Sequence, residues 1–274
     1  MVKLIVTDVD DTVVPEGGSI LNPEYYEVVR ECRKRGILIG VASGRQKPCV
    51  KKLFEPVLDQ IFILADNGTD IWEKDYKTSM PIADGDYQEM ARDVHELCPG
   101  HAIMACKPDM GYIEYGQEEY YETMRAYPYD LEYVEDAARL TDICKVSVWR
   151  AEGVEPRIAS MMQERWSDRM DVCLAGVNFL DFTNKGCNKG KALSIIQEHY
   201  GIKPEETAAF GNADNDIPML ERAKFSYAVG NASENLKQTA YEVIGEMRED
   251  AVLKKIKAIL EEEDCKDGNG RKEA

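Results

Sequence analysis

The chain has 274 residues, of which 44% are hydrophobic and 31% charged, and its formal net charge is −17. That length exceeds what one core usually fills, so one or two domains are expected. A surface this acidic opposes nucleic acid and anionic membranes, and any anionic ligand must be drawn in by a local cation.

A buried strand is predicted at Leu4-Ile5-Val6, followed by the acidic loop Asp8-Val9-Asp10-Asp11-Thr12. A helix should run from Pro23, a favourable first-turn residue after Asn22, to Arg35, with Gly36 ending it. Residues 37–42 form an apolar run of the kind buried between helices in a parallel sheet. A second helix follows Arg45, and residues 61–65 read as the third strand. The pattern then changes. Residues 87–97 and 155–166 are helical, strands are expected near 102–106 and 111–115, a Tyr- and Glu-rich helical stretch follows them, and further strands are expected near 145–149 and 179–182. Their alternation predicts an antiparallel sheet with helices on one face. Strand–helix alternation returns with a helix at 189–200, a strand at 207–210, a helix at 216–223 and a strand at 225–229. The expected fold class is therefore α/β: a doubly wound, mostly parallel core from residues 1–83 and 184–274, interrupted by an α+β insert at 84–183. The acidic, Gly-containing last dozen residues are expected to form a flexible tail.

Eight cysteines include no Cys-x-x-Cys pair and read as reduced, mostly buried thiols of a cytoplasmic protein. The first residues do not resemble a signal peptide, and no apolar stretch approaches the ~20 residues that cross a bilayer. His95, His101 and His199 are far apart without ligand spacing and are expected to be surface or packing residues. The cluster Tyr112, Tyr115, Tyr120, Tyr121, Tyr127, Tyr129 and Tyr133 reads first as packing, with a substrate-selecting wall as its functional alternative. Trp149 and Trp166 are expected in a core.

Four stations carry chemistry. Asp8 and Asp10 sit where the first strand runs out, and ligands of parallel sheets bind beyond carboxyl strand ends. Carboxylates at i and i+2 point the same way from extended backbone, so one can attack while the other moves a proton or both hold a hard cation. An acidic turn is the bland alternative. Ser43 and Gly44 follow the second strand and can offer a hydroxyl and backbone N–H to a phosphate oxygen, although Ser-Gly is also an ordinary turn. Lys189 opens a helix, against the dipole preference for acids there, which hints at phosphate neutralisation, with a solvated surface lysine as the bland alternative. Gly211-Asn212-Ala213-Asp214-Asn215-Asp216 follows another strand and offers metal-binding oxygens or, alternatively, a helix cap.

In order and placement these stations resemble the haloacid dehalogenase superfamily of phosphatases, in particular its Cof-like group with a large α/β cap. The D-x-D-x-T motif is matched by Asp8 to Thr12, the second motif by Ser43, the third by Lys189, and the fourth by Gly211 to Asp216 with Ile217-Pro218-Met219-Leu220. Asp66-Asn67-Gly68-Thr69 and Ala228-Val229-Gly230-Asn231-Ala232-Ser233 fit the same group, and the insert falls between motifs two and three. The resemblance implies that Asp8 attacks phosphorus to give an aspartyl-phosphate, while Asp10 protonates the leaving oxygen and then activates water. It implies Mg2+ held by Asp8, the Asp10 carbonyl, Asn212 and Asp216, and phosphoryl oxygens held by Ser43, Gly44, Lys189 and Asn215. Asn212 stands where many relatives have aspartate, which removes a negative charge unless Asp214 or Asp216 compensates. The implied substrate is a small phosphorylated metabolite, foremost a sugar phosphate. A sugar phosphomutase using the same nucleophile, or a non-catalytic phosphometabolite-binding protein, would share these residues. Nucleic acid and membrane are not expected partners, and monomer and dimer both remain open.

Overall fold

The computed structural model describes residues 1–126 and 130–270, with side chains described as far as Glu262; Tyr127 and Tyr129 of the tyrosine cluster lie outside the described residues. The chain begins with β1 (Leu4–Asp8), every residue of which is buried. Helix α1 (Glu24–Lys34) follows and turns Tyr25, Val28, Val29 and Cys32 inward, the spacing of a one-faced helix. Asn22 Oδ1 accepts from Glu24 N at its start. Next come β2 (Leu38–Ala42), α2 (Lys47–Leu53), β3 (Phe62–Ala65), β4 (Asp70–Trp72) and β5 (Lys77–Ser79).

The middle of the chain adds α3 (Asp84–Leu97), β6 (Ala102–Lys107), β7 (Met110–Glu114), α4 (Glu118–Met124), β8 (Asp130–Val134), β9 (Lys145–Trp149), α5 (Pro156–Trp166), β10 (Met170–Ala175) and β11 (Phe179–Asn184). The chain then continues through α6 (Lys189–Tyr200), β12 (Thr207–Gly211), α7 (Ile217–Leu220), β13 (Phe225–Ala228), α8 (Glu234–Thr239), β14 (Glu242–Val243) and α9 (Ala251–Gly270). Helical backbone thus extends into the stretch whose composition predicts a tail, and residues 271–274 lie outside the described residues.

The residues gather into two compact units. One holds Met1–Gly44, Val50–Lys77 and the chain from Asn188 onward; the other holds Arg45–Cys49 and Thr78–Cys187. The first unit is built on the sheet β14-β13-β12-β1-β2-β3-β4-β5. From β14 to β3 every neighbouring pair is parallel, and β3–β4 is antiparallel. Strands β1, β2, β3 and β12 are buried along their whole length, as expected when helices cover both faces. This is the doubly wound α/β arrangement.

The second unit has the sheet order β10-β11-β9-β6-β7-β8. Its pairs are antiparallel except β7–β8, which is parallel. Helices on one face were the expectation, and here the structure differs. Ile103, Ala105, Val146, Val148, Leu180 and Phe182 pack with the buried faces of α3 and α5, where Trp166 is fully buried. Met104, Cys106, Ile113 and Trp149 point to the opposite face, where Tyr120 and Met124 of α4 cover them. The reason lies in β6, whose residues Ile103 to Cys106 are apolar on both faces and so require cover on both. The tyrosines pack among themselves: Tyr120 stacks on Trp149, and Tyr121 and Tyr115 each stack on Tyr133. Among the described residues no helix is long and apolar enough to cross a membrane.

Candidate active site

In the first unit, β1 lies between β2 and β12, so the chain winds away from it in two directions. A crevice opens at such a switch point beyond the carboxyl strand ends. Asp8 is the last residue of β1, Ser43 follows β2, Asp66 and Asn67 follow β3, and the segment from Asn212 to Asp216 follows β12. Lys189 is the first residue of α6.

Three of these groups meet directly. Lys189 Nζ donates to Asp8 Oδ1 at 2.5 Å and to Asp216 Oδ1 at 2.6 Å. Asp8 is 4% exposed, Lys189 1% and Asp216 0%. Asp8 Oδ2 accepts from Thr12 Oγ1 at 2.9 Å. Asp216 Oδ2 accepts from the backbone N–H groups of Asn212 and Ala213 at 3.0 and 3.1 Å. Gly211 makes this fold-back possible, because a Cβ there would stand 2.6 Å from Asp216 Cβ.

Electrostatics follow from counting charges: one ammonium faces two carboxylates. Burial, and then repulsion from Asp216, push the Asp8 carboxyl up to about 7 against the pull of Lys189 and Thr12. Burial pushes Lys189 down, but the two carboxylate charges and their hydrogen bonds outweigh it and hold the ammonium above its usual range. The triad therefore carries one uncompensated negative charge whenever both carboxylates ionise.

The remaining stations are held separately. Asp10 is half-buried, and its Oδ1 accepts from Gly17 N at 2.9 Å. The backbone carbonyl of buried Ser43 accepts from Asn67 N at 2.9 Å. Asn215 Nδ2 donates to Asn67 Oδ1 at 3.0 Å, and Gly44 lies against the same Asn67 amide. Asn67 therefore stitches the Ser43–Gly44 turn to Asn215, a part the sequence reading did not assign to it. The available signal was Asp66-Asn67-Gly68, where Asp66 and Asn67 adopt φ of 49° and 55°, conformations that Asp and Asn tolerate. Asn231 is a second such residue. Its Nδ2 donates to the carbonyl of Asp11 at 2.8 Å and its Oδ1 accepts from Met247 N at 3.1 Å. It thereby braces the loop after Asp8 at left-handed Asp11, φ 52°.

Asn212 contributes its backbone N–H to Asp216 and its carbonyl to Ser233 N, while its half-buried side chain has no hydrogen bond among the described residues. Asp214 is exposed and committed elsewhere: its two oxygens accept from Ser233 Oγ at 2.5 Å and Asn235 Nδ2 at 2.9 Å, at the start of α8. Those hydrogen bonds hold its carboxyl below the usual range.

The sequence profile of the haloacid dehalogenase-like hydrolases matches residues 5–256. The chain belongs to that family. Among curated relatives of this hydrolase, the 5-amino-6-(5-phospho-D-ribitylamino)uracil phosphatase YbjI of Escherichia coli K12 is 26% identical, covering 96% of this chain and 97% of its own. The phosphoglycolate phosphatase of Methanopyrus kandleri is also 26% identical, covering 97% of this chain and all of its own. A solved structure from Eubacterium rectale superposes with a TM-score of 0.88 at 30% identity, covering 94% of this chain and 99% of that one. This haloacid dehalogenase-like hydrolase is an enzyme, a phosphoric monoester hydrolase. Its strand-end residues suit a hard divalent cation: carboxylates, an amide and carbonyls are oxygen donors, and the uncompensated charge on the triad is what such an ion offsets.

Proposed function

We propose that this enzyme is a magnesium-dependent phosphatase of a small phosphorylated metabolite, foremost a sugar or sugar-alcohol phosphate, working through an aspartyl-phosphate on Asp8. The observation that carries the reading is the buried contact of Lys189 with both Asp8 and Asp216 at the switch point of the sheet. The phosphorylated substrates named for the two curated relatives support the substrate class.

Asp8 attacks phosphorus with a carboxylate oxygen, forming an O–P bond as the bond to the substrate oxygen breaks. Thr12 fixes the other carboxylate oxygen, so the attacking one keeps its direction. Asp10 gives its proton to the departing alkoxide, then takes one from the water that attacks the acyl phosphate, releasing phosphate and free Asp8. Ser43, Gly44, Asn215 and Lys189 receive the phosphoryl oxygens, with Asn67 holding three of those four parts in register. Magnesium would be held by the Asp8 carboxylate, the Asp10 carbonyl and the Asn212 amide oxygen, with Asp216 ordering its surroundings, and supplies charge neutralisation for the transferring group. An amide in place of a third carboxylate weakens that hold, and the Asp214 oxygens are turned toward Ser233 and Asn235.

A cytoplasmic setting is supported by the described cysteines, all seven of which are free thiols. Phosphate release from a panel of phosphorylated metabolites tests the function. Turnover should require Mg2+ and fall by about a thousandfold or more in Asp8→Asn; full activity in that variant would remove Asp8 as nucleophile.

A further inference from the structure

The histidines are scattered in sequence, and the expectation was a surface or packing role. All three fit it: His101 has a side chain 1% exposed, His199 stacks on Tyr76 at 3.9 Å between ring centroids, and His95 is exposed. His95 alone stands beside two carboxylates. It lies near the end of α3 and meets Glu114, the last residue of β7, and Asp136, which precedes a short turn at Ala137–Arg139. One ligand atom from each residue lies within 4.8 Å of the others.

His95 Nε2 is 2.9 Å from Glu114 Oε1 and 3.1 Å from Oε2. Both carboxylates are already oriented by backbone amides: Glu114 Oε1 accepts from Ala137 N at 2.7 Å and Asp136 Oδ1 from Ala138 N at 2.9 Å. Glu114 Oε2 also accepts from Gln117 Nε2 at 3.3 Å. The three residues line one open cavity of about 870 Å³, whose wall also carries Arg92, Glu135 and Arg139. An imidazole and two carboxylates, the carboxylates held by backbone amides, thus bring three donor atoms together on the wall of that cavity, the number a four-coordinate ion needs beside one outside ligand.

We propose that His95, Glu114 and Asp136 form a zinc site in the second unit, with water or a small anion from the cavity as fourth ligand. The donor set selects the ion. Magnesium favours octahedral oxygen ligation, whereas zinc accepts nitrogen and oxygen together in four-coordination. Two carboxylates balance its charge. The ion takes the place of the His95–Glu114 hydrogen bond, with the imidazole binding it through a ring nitrogen lone pair. Asp136 Oδ2 must release Arg139 Nε, 3.0 Å away, but that arginine side chain is 83% exposed and such a pair contributes little. Freed, Arg139 stands with Arg92 on the cavity wall, where either can meet an anion bound to the ion.

The test uses the full chain, stripped of metal, in excess Mg2+ and a non-thiol reductant, dialysed against zinc. Wild type should retain a zinc equivalent that both His95→Ala and Asp136→Asn weaken by about tenfold or more. Zinc should raise the melting temperature of wild type more than that of the variants at the same zinc concentration, while their Mg2+-dependent phosphate release stays at the wild-type level. If His95→Ala fails to fold, His95→Gln takes its place. Wild type that retains no zinc, or variants that hold it as tightly as wild type, would overturn the site.

Discussion

Asp8 and Asp216 share a single ammonium, and this shortage of positive charge at a buried strand end has a measurable consequence at the level of one residue. The folded, metal-free chain keeps the Asp8 proton up to about 7, whereas the ordinary value is 3.8. Between those values the folded state binds more protons than the unfolded one. The contribution of Asp8 to stability is therefore full below the lower value and declines as pH rises through the higher one. A cation that needs the ionised carboxylate competes with that proton. Magnesium affinity is thus expected to fall about tenfold per pH unit once Asp8 begins to protonate. Titration calorimetry near pH 8 and near pH 6 checks this; equal affinities would show that Asp8 does not hold its proton. Asn212 was legible in the sequence as a departure from aspartate, but the engagement of Asp214 with α8 and its cap was not. That depends on Ser233 and Asn235, which only the turn into α8 brings to its two oxygens.

At the scale of elements, α6 is the piece that delivers Lys189, and its seat is tight. Gly190 follows the lysine, and a Cβ there would stand 2.2 Å from the backbone oxygen of Pro218 in α7. Alanine ordinarily favours a helix over glycine by ~1 kcal/mol. Here the clash with backbone opposes it, and overpacking costs about 1–3 kcal/mol or more. Gly190→Ala is therefore expected to lower stability in urea unfolding and to slow turnover by displacing Lys189; a stabilised, fully active variant would contradict this seating. Periodicity made most elements readable: β9 and α6 lie at the residues their patterns indicate. Local patterns did not reveal β8, whose residues are exposed or half-buried, or β10, an edge strand with exposed Cys173 and Leu174. Their pairing is set by neighbours distant in sequence. Asn67 and Asn231 were visible as motif letters, yet their bracing roles depend on contacts 148 and 220 residues apart.

For the whole molecule, a net charge of −17 and a lysine already matched by two carboxylates leave the attraction of an anionic substrate to the cation proposed for the strand ends. The order of the stations along the chain was readable because three of them follow β1, β2 and β12, neighbouring strands of one parallel sheet, while Lys189 opens α6. The side assigned to each helix of the insert was not, since α4 reveals its buried face only through Tyr120 and Met124 packed on Met104 and Trp149. The central claim is that the phosphoryl group passes through Asp8. It is tested most directly by acid quench during turnover of an aryl phosphate by the Asp10→Asn variant, followed by borohydride reduction and peptide mapping. The aryl leaving group needs no proton, so the variant should then slow mainly the second step. An acyl phosphate is reduced to the alcohol, so homoserine should appear at position 8 in proportion to the trapped intermediate. Turnover that leaves position 8 as aspartate while another residue is reduced would contradict it.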